Sequence, residues 1–394
     1  MRRSFGWYRL EAMKLQRKPL GATCALAFLL AAVLPIRAAE APAEISVPSG
    51  FSIEIIAHVD GARELAAAPN GDLFVGTLGS SVDIIPDAEG NPGTPRSFAR
   101  LGEAPDAGVA LGDRALYVGT NGGVWKIPYA KGSLEPAGQP AKIASVRTGG
   151  GAGHATTSVA LANGRLYASV GSSCNACDES DPTRASIQEM DLDGHGMHPK
   201  AVHIRNAIAL AVNPATNAVW AGVAGQDELE HGHPYEIFDP FTLHSGTIDY
   251  GWPYCYDNRK ATDNSHSCTD VQVPRVVFPA YDTPIGAAIY PAHATGRYAF
   301  PAQYAGGAFV GLHGSWHRPL VPPRVAFVPL RNDEPSKPVD WTDASAQWHE
   351  FVRGFQRPDE LRVGRPTGIA VGPLGSLFVA DDQAGVVYRI RPKR

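Results

Sequence analysis

Four short segments carry the side chains most able to do chemistry. His154 ends the stretch Thr148-Gly149-Gly150-Gly151-Ala152-Gly153-His154, just ahead of an apolar run from Ser158 to Leu161. A lone histidine is ordinarily a surface or core residue, but glycines let a ligand approach the backbone closely, which makes this one a candidate general base. Arg205 and Asn206 stand directly before the apolar strand from Ile208 to Val212. Such a pair at a strand entrance is commonly a turn with a salt bridge; its functional reading is an anion clamp. The segment Gly311-Leu312-His313-Gly314-Ser315-Trp316-His317-Arg318 gathers a cation, two histidines and an indole, although Trp316 could equally pack in a core. Gly364-Arg365-Pro366-Thr367-Gly368 again precedes an apolar strand. Arg205, Arg318, Arg365 and Trp316, all at strand ends, fit a planar polyanion held by guanidinium forks against an aromatic face.

The elements that must position these groups are legible as a repeat. A small turn followed by an apolar strand ending in Gly or a small residue occurs at Pro69-Asn70-Gly71-Asp72-Leu73-Phe74-Val75-Gly76. It recurs in the strands ending at Gly119 and Ser169, and more loosely in those ending at Gly222, Gly311 and Ala380. Successive copies lie roughly 40 to 90 residues apart, and a four-stranded blade needs about 40 or more. The repeat predicts an all-β chain folded as a six-bladed β-propeller. The alternating segment from Ser46 to Ala57 reads as a lone strand, and the segment from Gly385 to Arg391 as the last one. In a ring the two ends must meet, so the lone strand is expected to complete the final blade. The stretch from Glu228 to Val271 reads as one long irregular, functional loop.

The composition supports many short strands: the 394 residues include 42 Gly and 33 Pro without low-complexity runs. A formal net charge of -4 and no basic stripe argue against a nucleic-acid partner. Residues 1–40 read as a cleaved signal peptide and 41–394 as the propeller domain. Lys14, Arg17 and Lys18 precede an apolar run from Ala22 to Pro35, with Ala38 and Ala39 suited to cleavage, and Met13 is an alternative start. The run is about 14 residues, short of the ~20 that span a bilayer, so no membrane span is expected after cleavage. The location implied is periplasmic or secreted.

Cys24 falls within the signal, leaving Cys174, Cys177, Cys255 and Cys268. Even parity in an exported chain favours the disulfides Cys174–Cys177 and Cys255–Cys268. A zinc site or a redox dithiol are the rivals; haem attachment is excluded locally because Asp178, not His, follows Cys177.

Together, His154, Arg205-Asn206, Gly251-Trp252-Pro253-Tyr254-Cys255-Tyr256, Gly314-Ser315-Trp316 with Arg318, and Arg365-Pro366-Thr367-Gly368 resemble the glucose/sorbosone dehydrogenase family, most closely its sorbosone dehydrogenase-like branch. The resemblance spans the chain from about Ser46 to the end. It implies pyrroloquinoline quinone (PQQ) with Ca²⁺ at the mouth of the ring, and oxidation of an aldose or sugar aldehyde with delivery of electrons to an acceptor. By the same resemblance His154 takes the substrate's proton, Arg205 and Asn206 contact the quinone oxygens, Arg205 acting also in catalysis, and Arg365 contacts a carboxylate. Trp316, Arg318, Gln226 and Asp227 are carried as further cofactor contacts, with no metal ligand assigned. The chain departs from the family in the loop from Gly225 to Pro234, at His317, where Asn is often found, and at Thr367, where some relatives have Arg.

Two other functions compete. A calcium-dependent propeller lactonase or hydrolase would need acidic and Asn side chains converging on one metal. A non-enzymatic propeller would use the same mouth to bind a partner or glycan. The arginine set favours the dehydrogenase.

Overall fold

Strands account for nearly all regular structure in the computed structural model, which describes residues 39–147, 153–317 and 320–393. Arg318 and nearly all of the expected signal segment lie outside these residues; of that segment's last residues, Ala39–Glu40 pairs with Phe51–His58. The all-β class expected from the sequence is observed.

Among the described residues the strands group into six four-stranded antiparallel units, taken here from inner to outer strand. The first holds Ala62–Ala67, Leu73–Thr77, Ser81–Ile85 and Arg96–Arg100. The second holds Asp106–Leu111, Ala115–Thr120, Gly123–Pro128 and Ala141–Ser145. The third holds Val159–Ala162, Arg165–Val170, Ser186–Met190 and His198–Val202. The fourth holds Ala207–Val212, Val219–Val223, Glu236–Asp239 and Val276–Phe278. The fifth holds Pro284–Ile289, Ala308–Leu312, Arg324–Val328 and His349–Val352. The sixth takes Pro366–Val371, Leu377–Asp381 and Val386–Pro392 from the end of the chain and Phe51–His58 from its beginning.

That last pairing, with Ile53 opposite Ile390, is the closure expected of the lone opening strand. Each repeat phrase is the turn into a unit's second strand. One expectation is corrected: the stretch from Glu228 to Val271 is not a single irregular loop, because Glu236–Asp239 is the third strand of the fourth unit. Its four residues are too short to show a periodic pattern amid the surrounding Gly, Pro and aromatics.

The apolar core lies between units, because successive residues of a strand point to opposite faces. Leu73 and Val75 pack with Ala370, Phe378 and Val387 of the sixth unit, while Phe74 between them packs with Leu116, Val118 and Ile127 of the second. Similar clusters join the second unit to the third, the third to the fourth, the fourth to the fifth and the fifth to the sixth. The six inner strands surround a channel of about 500 Å³.

The small residue that ends each repeat phrase has a physical reason. A Cβ on Gly76 would stand 2.0 Å from the carbonyl oxygen of Ala107, one on Gly119 2.1 Å from that of Thr157, and one on Gly311 2.5 Å from that of Thr367. In each case the next unit's inner strand begins against the glycine, so a side chain there would push two units apart.

Candidate active site

Strand direction decides where chemistry can gather. The starts of neighbouring inner strands touch: a Cβ on Gly368 would lie 2.5 Å from the Arg63 carbonyl oxygen, and one on Gly108 2.2 Å from that of Thr157. All inner strands therefore begin at one end of the ring, called the mouth here, and the loops after the second strands return to it. Arg63, His154, Arg205, Asn206, His313 and Arg365 all sit in these starts and loops.

His154 is held by the loop after the third unit's second strand. Its backbone N–H donates to the Ser172 carbonyl at 3.0 Å, and its Nδ1 lies 3.1 Å from both that carbonyl and Ser172 Oγ. A carbonyl only accepts, so Nδ1 carries the proton and Nε2 presents a lone pair. Burial, helped by the nearby Arg205 charge, pushes His154 down to about 4 and keeps it a neutral base at pH 7. Arg147 fixes the approach, donating from Nε to the His154 carbonyl at 3.1 Å and from Nη1 to Thr157 Oγ1 at 2.6 Å. Gly171 allows His154 and Asn206 to converge, since a Cβ there would lie 2.5 Å from both His154 Cβ and Asn206 Oδ1. Asn206 Oδ1 is buried without a hydrogen-bond partner among the described residues.

Arg205 differs from its expected role. Its Nε donates to the Asn175 carbonyl at 3.1 Å and its Nη1 to the carbonyls of Ala224 and Gly225 at 3.4 and 2.6 Å. Its Nη2 donates to Asn175 Oδ1 at 2.9 Å and Asp227 Oδ2 at 3.1 Å. All five guanidinium protons thus have protein acceptors, and the fork clamps two mouth loops together rather than projecting a free pair of donors. Asp227 is the counter-charge of this clamp, and Gln226 lines a recess with Tyr235, Trp252 and Tyr256.

Trp316 is not a core residue: it is 69% exposed. It stacks on His317 at 3.9 Å between ring centroids, and His317 in turn stacks on Tyr281 at 4.0 Å. The indole therefore presents an exposed aromatic face backed by the two stacked rings. The Nε2 of His317 is buried without a hydrogen bond among the described residues, 3.8 Å from Asp227 Oδ1.

On the other side of the mouth Arg365 donates from Nε to the His313 carbonyl at 3.0 Å and from Nη2 to the Gly314 carbonyl at 2.9 Å. Burial first, then the neighbouring charges of Arg362 and Arg63, push it down to about 10. Its Nη1 has no protein acceptor among the described residues. Next to it Arg63 donates from Nη1 to Asp382 at 2.6 Å, while its Nε is buried without a partner among the described residues. Sequence reasoning missed Arg63. The signal was present, because it is the second residue of the inner strand of the first unit as Arg365 directly precedes that of the sixth, but only an alignment of inner strands would expose it.

The cysteines pair as expected, Cys174 with Cys177 and Cys255 with Cys268. Among the described residues the His, Cys, Asp and Glu side chains close enough to share a metal are Cys174, Cys177 and Glu179, and both sulfurs are bonded to each other. The described side chains therefore form no acidic cage for Ca²⁺.

Residues 231–393 match the TrAA12-like family. A family AA12 carbohydrate-active enzyme of Trichoderma reesei has a similar fold, with a TM-score of 0.74 at 18% identity, covering 89% of this chain and 98% of its own. So does the PQQ domain of the pyranose dehydrogenase of Coprinopsis cinerea, with a TM-score of 0.75 at 17% identity over 88% of this chain and 97% of its own. The PQQ-bound aldose sugar dehydrogenase of Streptomyces coelicolor follows with a TM-score of 0.58, 17% identity, and 88% and 99% coverage. In sequence, an uncharacterized protein of Borreliella burgdorferi is 22% identical over 380 residues, 92% of this chain and 94% of its own. The resemblance to soluble quinoprotein sugar dehydrogenases read from the sequence is thus matched in fold along most of the chain, and residues 231–393 carry a TrAA12-like domain.

Proposed function

We propose that this chain is an exported, periplasmic or secreted PQQ-dependent dehydrogenase of an aldose or sugar aldehyde, its six units being the blades of a six-bladed β-propeller. The observation that carries the reading is the pairing, at one mouth, of a neutral histidine with an open Nε2 and two arginines with unfilled donors. A quinone bearing carboxylates fits that set: Arg365 Nη1 and Arg63 Nε would receive its anionic edge, Asn206 a polar edge, and Trp316 a ring face.

Bound PQQ supplies a two-electron acceptor for hydride. His154 Nε2 would take the proton of the hydroxyl on the carbon that gives up hydride, the lactol hydroxyl of an aldose or a hydroxyl of the hydrated aldehyde, and the Ser172 carbonyl would stabilise the imidazolium through Nδ1–H. The guanidinium groups of Arg63 and Arg365 would hold the cofactor's anionic edge and offset negative charge there. Arg205 and Asp227 hold the loops that frame the base. Arg318 remains a proposed contact, and no step is assigned to Ca²⁺.

The experiment is reconstitution of purified apoprotein with PQQ and Ca²⁺, followed by dye reduction with a panel of aldoses and sugar aldehydes. Quinone-dependent reduction by at least one sugar is expected. Lactone hydrolysis without quinone, or no quinone binding, would replace the dehydrogenase with the hydrolase or the binding propeller.

A further inference from the structure

Resting on that reading, we propose that Asn175, enclosed between Cys174 and Cys177, is the positioning residue that locks the base side of the mouth. Five hydrogen bonds converge on it although it lies on an open surface. Its carbonyl accepts from Arg205 Nε and Trp252 Nε1, each at 3.1 Å. Its Oδ1 accepts from Arg205 Nη2 at 2.9 Å and the Asp227 N–H at 2.8 Å, and its Nδ2 returns a bond to the Asp227 carbonyl at 3.0 Å.

Three loops thus meet on one residue, the loop carrying Trp252 on its main-chain carbonyl and the loop carrying Gln226 and Asp227 on its side-chain amide, with the disulfide loop supplying both. The same loop also holds the base, because Ser172 Oγ donates to the Cys174 carbonyl at 2.7 Å while Ser172 accepts from His154. A four-residue disulfide ring constrains the unfolded chain less than a long one does, so its main effect is on local shape. It holds the Asn175 carbonyl and amide facing Arg205 without support from a regular element. Arg205, with every donor engaged, is then fixed against Gly225 and Asp227.

Titrating PQQ calorimetrically into full-length apoprotein in calcium buffer tests this. Asn175→Ala keeps the main-chain carbonyl but loses the Oδ1 bond to Arg205 and both amide bonds to the Asp227 backbone; it should weaken quinone affinity about tenfold, while the melting temperature of the apoprotein stays at the parent value. Asn175→Asp, which keeps an acceptor for Arg205, should restore part of the affinity. Cys174→Ala with Cys177→Ala should shift affinity in the same direction as Asn175→Ala. Hydrogen exchange of the apoproteins, which needs no cofactor, should show faster exchange at residues 224–228 in Asn175→Ala. Unchanged affinity, or an affinity loss matched by a fall in melting temperature, would overturn the positioning role. If the parent binds no quinone, the dehydrogenase reading fails on its own, and unchanged exchange at 224–228 would then overturn the role of Asn175 as well.

Discussion

His154 on the third unit and His313 on the fifth are both buried enough to be pushed down to about 4, yet their partners commit them to different work. The Nδ1 of His154 meets a neutral carbonyl and hydroxyl, and Nε2 has no hydrogen-bond partner among the described residues. The Nε2 of His313 is spent on Asp382 at 2.9 Å, and Asp382 is shared with Arg63. The arginines reverse the pattern, since Arg205 beside His154 is fully engaged and Arg365 beside His313 keeps Nη1 open. Residue type is the same in each pair, but His313 and Arg205 are buried while His154 and Arg365 are only half-buried, and the acceptors supplied by neighbouring loops divide the mouth into a base side and an anion side.

Replacing the histidines gives the largest expected separation. His154→Ala should lower turnover by ~10² or more with quinone affinity nearly intact. His313→Ala should leave turnover at saturating cofactor near the parent value and destabilise the fold by about 1–3 kcal/mol, through the buried carboxylate of Asp382 that loses a partner. Steady-state kinetics and denaturant unfolding of both variants would measure this, and equal turnover losses would erase the distinction. In the parent, kcat/KM should fall as pH drops through about 4, because the base works only above its folded pKa.

The arginines come next. Arg365→Lys should weaken quinone binding by about 1.5–3 kcal/mol, since Lys cannot hold the His313 and Gly314 carbonyls and still direct a donor at the quinone as Nη1 does. Arg205→Lys removes bonds among loops, so it should loosen residues 224–228 in hydrogen exchange of the apoprotein. Identical profiles for the two variants would merge the two sides.

Smaller effects probe the frame beneath the mouth. Gly119→Ala sets a Cβ against the Thr157 carbonyl and should cost about 1–3 kcal/mol, read by thermal unfolding. Glu64, beside the channel, is pushed up to about 8 by burial against the pull of Ser158 and Arg63. A carboxyl raised in the folded state stabilises fully below its unfolded value and loses that contribution as pH rises through about 8. Glu64→Gln should therefore flatten the decline in stability between about pH 4.5 and 8.

The repeat turns and strands were legible because alternating residues of the second strands face different neighbouring units, and Gly76, Gly119 and Gly311 mark where backbones touch. The opening strand was legible from the need to close a ring. That His154, Asn206 and Arg365 lie at the same end of the units was legible because each precedes the start of an inner strand. What the sequence hid was hydrogen-bond direction. Nothing in Arg205-Asn206 tells that Asn175, thirty residues earlier, consumes two of its donors. Nor does the sequence reveal that Trp316 stands exposed on His317 and Tyr281, because these rings come from loops of no fixed periodicity.

The division of the mouth is tested most directly by a crystal structure of the protein with PQQ and Ca²⁺ bound. A quinone carboxylate on Arg365 Nη1 and Arg63 Nε, with the reacting face against His154 Nε2 and Arg205 still holding Asn175, is the expected result. A quinone bound away from the mouth, or bound there with Arg205 released onto its oxygens and His154 turned away, would contradict it.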